Sequence, residues 1–348
     1  MAHQLALEVA LALALQCSPD HPWVTEHPEW FTTRADGSIA HADNPPATSK
    51  DIVPLDFDND PDGLYFEVLR IVAFWIDHGV RIFRVHTAHT KPVPFWERLL
   101  AEVREIDSDV IFLAEAFTSP AMAHALTAVG FQQSYTYFTW REHADETAAY
   151  LDEDSNRTSD FMRPNFFVNT PDILPRYLQD GDESMFRARV VLAATGSSSW
   201  GMYAGYELME HEPAARDTEE YLEAEKYEIK VRDWDDPRSL APFIAHLNQI
   251  RRTHPALQRL RNLTVHRTNQ TGVIAYSKAT GDDSVLVVVD LFPAFEKRVT
   301  IEVEPADLGL PPGTDLTMRD ELDGTHCRAD RVPLSSHQPA RILTPRQP

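Results

Sequence analysis

The sequence predicts an α/β fold in which a parallel sheet with helices is followed by a small antiparallel β-sandwich. Two short runs, residues 81–85 and 110–114, are rich in β-branched and aromatic residues, and the segment between them has apolar residues at helical spacing. A strand, a helix and a second strand form a βαβ unit, which implies parallel strands. From Val265 the pattern changes to short alternating strands separated by turns, as in a sandwich. We therefore expect two domains, 1–262 and 263–348.

The remaining elements of the first domain follow from periodicity and from helix signals. Residues 8–16 are predicted to form a helical turn or a buried strand, and 62–78 an amphipathic helix that ends at Gly79. The further predicted elements are a helix over 94–106, a helix over 120–129, a strand over 131–139, a solvated acidic helix and loop over 142–160, a strand over 165–169 and a helix over 240–253.

Charge and cysteine content restrict the function classes. The chain has 348 residues and a formal net charge of −22. Because nucleic acids and anionic membranes attract basic surfaces, this balance argues against both as partners. The two cysteines, Cys17 and Cys327, are too few for a disulfide framework, so a reducing cytoplasm is the expected location.

The N-terminal segment from Leu5 to Leu15 is apolar, but it does not fit a targeting or spanning segment. No Lys or Arg precedes it and Glu8 lies inside it, which is unfavourable for a signal peptide. It is also too short to cross a bilayer. A buried element of the sheet domain is the better interpretation.

Polar side chains come directly after the two strands of the βαβ unit. His86 follows the first strand and Glu115 follows the second. In a (β/α) barrel the carboxyl ends of the strands form the mouth in which the chemistry takes place. Arg84 lies two residues before His86, so strand alternation directs both side chains to the same face. These residues are therefore candidates for an active site.

Several runs of the sequence together resemble the α-amylase superfamily of retaining glycoside hydrolases and transglycosylases. Within it, the chain is most similar to the bacterial maltosyltransferases that extend α-1,4-glucans from maltose-1-phosphate. The runs that carry the resemblance are QCSPDHPWVTEHPEWF (16–31), GVRIF-RV (79–85), HTKP (89–92), FLAEAF (112–117), QSYTYFTWR (133–141), NFFVNTPDI (165–173), GYE (205–207), EEY (219–221), EKYE (225–228) and RDWD (232–235).

The resemblance implies catalytic roles for three positions. Glu115 would be the general acid/base, and Asp172 would be the carboxylate that stabilises the transition state. The position of His86 would hold an aspartate nucleophile in that family, and the spacings of 29 residues to Glu115 and of 57 residues from there to Asp172 match the family without a gap. The histidine is therefore a substitution rather than a misalignment.

The resemblance also implies a substrate-binding set that is only partly retained. The substrate-binding residues it implies are Arg84, Asn44, Gln16, Lys226 and Tyr227. Lys226 and Tyr227 match the family's sugar-binding pair, and Asn44 is the one of four phosphate contacts that is kept. The phosphate contacts of the family are replaced at three positions, Ala47, Ser49 and Thr87. The expected partner is an α-glucan or malto-oligosaccharide, and maltose-1-phosphate is the weaker candidate.

Counted from the resemblance, the fold is a (β/α)8 TIM-type barrel that lacks its first two strands and is followed by the sandwich. A parallel barrel closes only when its last strand pairs with its first. We therefore expect a fragment of a longer protein, a homodimer or partner chain that completes the barrel, or six strands that remain an open curved sheet.

Three functional hypotheses follow. A retaining mechanism needs an acid and a carboxylate nucleophile, and His86 cannot form the usual glycosyl ester. The first hypothesis is therefore a maltosyltransferase-like protein, inactive or nearly so, and the alternative is a non-catalytic glucan-binding protein. The third hypothesis is a metal site formed by His86, His89, Glu115 and Asp172, since two histidines and a carboxylate can bind a metal. It is less favoured than the other two, so the chain is expected to need no metal and no cofactor.

Overall fold

A computed structural model describes residues 2–44, 47–225 and 229–345. The chain forms two compact units, Met1–Tyr135 and Thr136–Pro348. The α-helices are α1 (Pro22–Glu26), α2 (Pro61–Asp77), α3 (Val93–Ile106), α4 (Pro120–Ala128), α5 (Ala144–Asp152), α6 (Arg176–Gln179), α7 (Glu183–Gly196) and α8 (Ala241–Thr253). The strands of the first unit are β1 (Ala10–Leu13), β2 (Gln16–Cys17), β3 (Ala42–Asn44), β4 (Ala47–Ser49), β5 (Val53–Pro54), β6 (Ile82–Val85), β7 (Ile111–Ala114) and β8 (Gln133–Tyr135).

Parallel strands in the order β1, β6, β7 and β8 form the centre of the first unit. Each connection from β6 to β8 passes through a helix, as the alternating sequence pattern predicts. Helix α2 begins where the Asp60 carboxylate accepts a hydrogen bond from the Gly63 amide, and it buries one apolar stripe. The rings of Phe83 and Phe112 stack across β6 and β7 with their centroids 5.3 Å apart. This packing fixes the register that positions the strand ends.

The second unit begins with two parallel strands and ends with antiparallel sheets. Its strands are β9 (Pro164–Phe167), β10 (Ser199–Gly201), β11 (Leu263–His266), β12 (Val273–Thr280), β13 (Asp283–Asp290), β14 (Lys297–Val299), β15 (Thr317–Asp320), β16 (His326–Arg328), β17 (Val332–Leu334) and β18 (Ala340–Pro345). Strands β9 and β10 pair in parallel. Helix α7 between them is almost wholly buried, which fits its lack of a polar face.

The C-terminal strands form two antiparallel sheets, one in the order β11-β12-β13-β18-β15-β16 and one of β14 with β17. The long central strands β12 and β13 pair over eight residues each. Strand β13 has buried Val and Leu residues on both of its faces. One face packs in the core that also contains residues of helices α7 and α8, and the other face packs against further C-terminal strands. The change of pattern at Val265 is therefore a change from parallel to antiparallel structure, as predicted.

The strand predicted over 131–139 is wrong in its second half. Strand β8 ends at Tyr135, because the Thr136 hydroxyl accepts a hydrogen bond from the Phe138 amide and starts a 3-10 helix over Tyr137–Trp140. From that helix Phe138 packs in the core, whereas Tyr137 is exposed.

The segment 142–160 was predicted to be solvated, and this is wrong in part. The helix α5 is followed by a π-helical segment, Glu153–Arg157, in which Asp154 and Ser155 are buried. The Ser155 hydroxyl donates to the Leu260 carbonyl oxygen (2.7 Å) and accepts from the Leu263 amide (3.2 Å). A serine can therefore enter the interior because both of its hydrogen-bonding functions are satisfied there.

In the part of the chain that the structure describes, none of the helices is long and apolar enough to cross a membrane.

Candidate active site

Two neighbouring strands of the first unit bring three ionisable side chains together. In the register of β6 and β7, Val85 lies opposite Ala114, so His86 and Glu115 follow directly after paired residues. Arg84 lies on the same face as His86, and its side chain also reaches Glu115. The Glu115 side chain is buried, whereas those of Arg84 and His86 are partly exposed. The sequence thus brings these three residues to one strand end.

Both carboxylate oxygens of Glu115 are occupied. Arg84 donates from its terminal guanidinium nitrogen to Oε1, and His86 donates from Nδ1 to Oε2. Since an ionised carboxylate only accepts hydrogen bonds, the shared proton of the second bond lies on Nδ1 of His86. The Arg84 guanidinium also lies over the ring of Tyr135, 5.6 Å from the centroid. Arg84 is therefore held from two sides.

This environment favours the charged form of Glu115. Burial raises the pKa of a carboxyl group, but the hydrogen bond from His86 and the positive charge of Arg84 outweigh it, so that the pKa of Glu115 is lowered. A carboxylate with two charge-assisted donors binds a proton poorly. This arrangement therefore favours the ionised form of Glu115.

The chain turns sharply after His86. Thr87 has a left-handed backbone conformation with a φ of 45°, which is uncommon for a β-branched residue. Lys91 folds back onto this turn, and its Nζ donates to the His86 carbonyl oxygen (3.2 Å) and to the Thr87 hydroxyl (3.1 Å). The turn is further fixed because the Ala88 amide donates to the Glu115 carbonyl oxygen at 3.0 Å. The position of His86 thus depends on Lys91.

Two further cations or potential cations line the same turn. Burial lowers the pKa of Lys91 to about 8, although the nearby Glu115 carboxylate opposes the shift. Burial also lowers the pKa of His89, and the charge of Lys91 adds to this effect. Nδ1 of His89 is buried and has no hydrogen-bond partner among the described residues. Within those residues no three side chains of His, Cys, Asp or Glu are grouped so as to hold a metal ion.

Asp172 belongs to the second unit and lies after β9. Its amide donates to the Thr170 hydroxyl at 3.3 Å, in a tight turn closed by a bridge between Thr170 and Ile173. The side chain is half-buried. Nearby along the chain, Asn169 donates to the Tyr221 hydroxyl at 2.6 Å. That Asp172 lies close to Glu115, which belongs to the other unit, stays a prediction.

A second buried charge cluster surrounds Arg232. The guanidinium donates to Glu210 at 2.8 Å and to Glu225 at 2.9 Å, and its side chain is only 3% exposed. The Tyr203 hydroxyl donates to the same Glu225 carboxylate at 2.8 Å. Beside this cluster lies a cavity of about 200 Å³ lined by Met209, Glu210, His211, Glu212, Tyr221, Leu222, Glu223 and Lys230. The cluster holds the segment after residue 205 in place.

The other predicted substrate contacts are placed less fully. Gln16 is half-buried in β2, where it pairs with Pro54 of β5. Asn44 ends β3 and pairs with Ala47 of β4. Lys226 and Tyr227 lie outside the described residues. Their assignment as sugar contacts stays a prediction, as does the substrate-binding role of Gln16 and Asn44.

Comparison with known proteins supports the resemblance found in the sequence. A family model described as "GLGE, C-terminal" matches residues 265–344. The α-1,4-glucan:maltose-1-phosphate maltosyltransferase 2 of Streptomyces coelicolor is 53% identical over 350 residues, which are 98% of this chain and 52% of that protein. The enzyme of that name from Mycobacterium tuberculosis is 50% identical over 349 residues, 98% of this chain and 50% of its own length. The chain is a relative of the α-1,4-glucan:maltose-1-phosphate maltosyltransferases.

The chain spans about half the length of these maltosyltransferases. Solved structures confirm the predicted fold class. An α-amylase from Geobacillus thermoleovorans in complex with acarbose matches 99% of this chain and 78% of that one with a TM-score of 0.73 at 14% identity. A maltogenic α-amylase from Thermotoga neapolitana matches 98% of this chain and 76% of that one with a TM-score of 0.70 at 17% identity. At these identities the likeness concerns the fold alone.

Sequence reasoning missed two groups of buried charged residues, one in each unit. Lys91 was considered only as part of the HTKP run. The signal that could have identified it is the position of a lysine shortly after a strand and close to buried aromatic residues. Arg232 and Glu225 were likewise considered only as parts of the RDWD and EKYE runs, and Glu210 lies in none of the quoted runs. Their ion pairs join positions up to 22 residues apart, so periodicity gives no signal for them.

Proposed function

We propose that this chain is a maltosyltransferase-like protein of α-glucan metabolism that binds α-glucan or malto-oligosaccharide and transfers maltosyl slowly or not at all. The alternative is a glucan-binding protein without any catalysis. The single observation that carries the proposal is the state of Glu115, whose two oxygens accept from Arg84 and from His86.

The candidate acid is poorly suited to donate a proton. Glycoside transfer through a retaining mechanism begins when a carboxylic acid protonates the leaving oxygen. The lowered pKa of Glu115 leaves almost none of it protonated near neutral pH. A general acid works best when its pKa lies near the working pH. The first step of the expected reaction is therefore disfavoured.

The candidate nucleophile is also absent. The position of the family's nucleophile holds His86, whose Nδ1–H group donates a hydrogen bond to Glu115. Its remaining nitrogen, Nε2, is a nucleophile only while the ring is neutral. An imidazole cannot replace the negative charge that a carboxylate brings to an oxocarbenium-like transition state. Losing a covalent catalytic group usually costs several orders of magnitude in rate.

Sugar binding is expected to be kept better than phosphate binding. Arg84, Lys226 and Tyr227 are present in the sequence, whereas Ala47, Ser49 and Thr87 replace the phosphate contacts that the resemblance implies. The Thr87 hydroxyl already accepts a hydrogen bond from Lys91. We therefore expect maltodextrins to bind at least as well as maltose-1-phosphate.

The scaffold of this function is the one proposed from the sequence. Residues 1–262 would form the barrel part that carries Glu115 and Asp172, and residues 263–348 would form the C-terminal sandwich. The family model over residues 265–344 agrees with such a second domain. A cytoplasmic location remains part of the proposal.

Isothermal titration combined with a turnover assay tests the proposal. Maltoheptaose and maltose-1-phosphate are titrated in competition, and phosphate release from maltose-1-phosphate is followed with glycogen as acceptor. We expect saturable maltoheptaose binding and turnover far below ~1 per second, the lower end of typical enzymes. Turnover at or above that rate refutes the proposal, and a clear preference for the phosphorylated sugar refutes the binding order. Binding with no detectable turnover selects the alternative.

A further inference from the structure

A cleft of about 500 Å³ in the second unit has an unusual lining for so acidic a chain. The residues that line it are Ser159, Arg163, Ser198, Gln258, Arg259, Leu260, Arg261, Asn262 and Thr280. Three of the nine are arginines and none is an acid, whereas the whole chain has 54 Asp and Glu against 32 Lys and Arg. Its volume is that of a small-molecule site.

The cleft lies at the amino-terminal ends of two parallel strands of the second unit. Arg163 directly precedes β9 and Ser198 directly precedes β10, and these two strands are parallel. The amino-terminal ends of both strands therefore meet at the cleft, whereas Asp172 follows the carboxyl end of β9. Within the second unit the cleft and Asp172 therefore lie at opposite ends of β9.

Two of the three arginines are available to a ligand. Arg163 and Arg259 are exposed, and no hydrogen bond or ion pair joins either side chain to another described residue. Arg261 is anchored differently: it donates to the Ser159 carbonyl oxygen at 2.9 Å and pairs with the exposed Asp160 at 2.8 Å. The two unpaired guanidinium groups leave most of the positive charge of the cleft uncompensated.

The loop that carries these arginines is held in place. Asn262 donates from Nδ2 to the carbonyl oxygen of Ala256 (2.9 Å) and to the hydroxyl of Thr280 (3.0 Å). The Ser155 hydroxyl fixes the Leu260 carbonyl oxygen from the other side at 2.7 Å. A site whose backbone is already fixed loses less freedom when a ligand binds.

A buried cation behind the cleft adds an independent observation. Lys278 is fully buried, and its Nζ has no hydrogen-bond partner among the described residues. Strand alternation places it on the same face of β12 as Thr280, which lines the cleft. Burial lowers the pKa of Lys278 to about 7, and Arg251 adds to the shift. Arg251 itself donates to the carbonyl oxygen of Ser198 in the lining at 3.0 Å.

We infer that this cleft binds the phosphate group of a small phosphorylated ligand through Arg163 and Arg259, with Arg261 and the serines of the lining around it. Arginine is suited to phosphate because its planar fork donates two parallel hydrogen bonds to two phosphate oxygens. Inorganic phosphate and a phosphate monoester share this chemistry. The cleft volume exceeds the needs of a free phosphate ion, which favours the ester.

The test is isothermal titration of the full chain with inorganic phosphate, with α-D-glucose 1-phosphate and with glucose. The key variant is Arg163→Gln together with Arg259→Gln. Because both side chains are exposed, this variant is expected to fold, which circular dichroism checks. Arg216→Gln is the matched control, since Arg216 is 97% exposed and does not line the cleft.

We expect the two phosphates to bind in a salt-sensitive manner, glucose not to bind, and the double variant to lose at least tenfold in affinity while Arg216→Gln loses none. Tighter binding of glucose 1-phosphate than of inorganic phosphate identifies the ester as the ligand class. The inference is overturned if neither phosphate binds, or if the double variant binds both as the unmodified chain does. Binding that is lost in Arg84→Gln but kept in the double variant places the phosphate at the candidate active site and also overturns it.

Discussion

Replacing His86 with aspartate is the change that most directly alters the state of Glu115. In the unmodified chain His86 donates a hydrogen bond to Oε2 of Glu115 and helps to lower the pKa of that carboxyl group. An aspartate at position 86 cannot donate this hydrogen bond. Its carboxylate also places a second negative charge beside that of Glu115. Two carboxylates that share a site cannot both ionise easily, so the pKa of one of them rises.

The size of the effect follows from the short distance. Two unit charges about 5 Å apart repel by roughly 3 kcal/mol at an effective dielectric constant near 20. Because 1.36 kcal/mol corresponds to one pKa unit, the pKa of Glu115 is expected to rise by about 2 units. Arg84 stays in place and limits the rise, since it still donates to Oε1. The pKa of Glu115 is therefore expected to be higher in His86→Asp than in the unmodified chain, which favours the protonated acid.

The assay is phosphate release from maltose-1-phosphate with glycogen, for His86→Asp alone and together with Thr87→Asn. A working general acid contributes about 10²–10⁴-fold, so we expect an increase of at least 100-fold in the double variant. His86→Asn is the matched control, because it removes the imidazole without adding a carboxylate. Equal rates for the asparagine and aspartate variants would refute the reasoning, as would no gain in the double variant.

Three further predictions concern buried cations. Arg232→Met leaves Glu210 and Glu225 without their shared partner and should lower the free energy of unfolding by about 3 kcal/mol. Urea denaturation measures this change, and an unchanged free energy of unfolding would contradict a stabilising role of the two ion pairs. Lys278→Met removes an unpaired buried cation and should raise the free energy of unfolding by ~1–4 kcal/mol at pH 6; a loss of stability there would refute this. The pKa of Lys91 is about 8 in the folded state and higher in the unfolded state. At pH values between the two, the folded state therefore binds fewer protons than the unfolded state. The free energy of unfolding should therefore gain a rising contribution from about pH 8 to 10 that Lys91→Met lacks; equal slopes for both proteins would exclude it.

Parallel and antiparallel parts of the fold could be predicted from the sequence because each has its own hydrophobic period. The strands around Phe83 and Phe112 are short apolar runs, and the long strand Asp283–Asp290 is an almost continuous one. The end of strand β8 could not be found in this way. It is set by a single hydrogen bond that the Phe138 amide donates to the Thr136 hydroxyl, and such a bond has no periodic signal.

The candidate site was predictable only where strand alternation applies. Alternation places Arg84 and His86 on one face, and both reach Glu115. It gives no information on the turn after His86, where Thr87 adopts a left-handed conformation and Lys91 folds back. The buried ion pairs of Arg232 were not predictable for the same reason, because they join loop residues that are distant in sequence.

A titration of the Glu115 side chain shows whether Arg84 and His86 hold it as a carboxylate. Carbon-13 NMR of the glutamate-labelled chain follows the carboxyl resonance with pH, and Glu115→Gln identifies the signal. The account predicts a pKa below the ordinary glutamate value of about 4.3. A measured pKa of about 6 or higher would show a competent acid in the unmodified chain and would contradict the account.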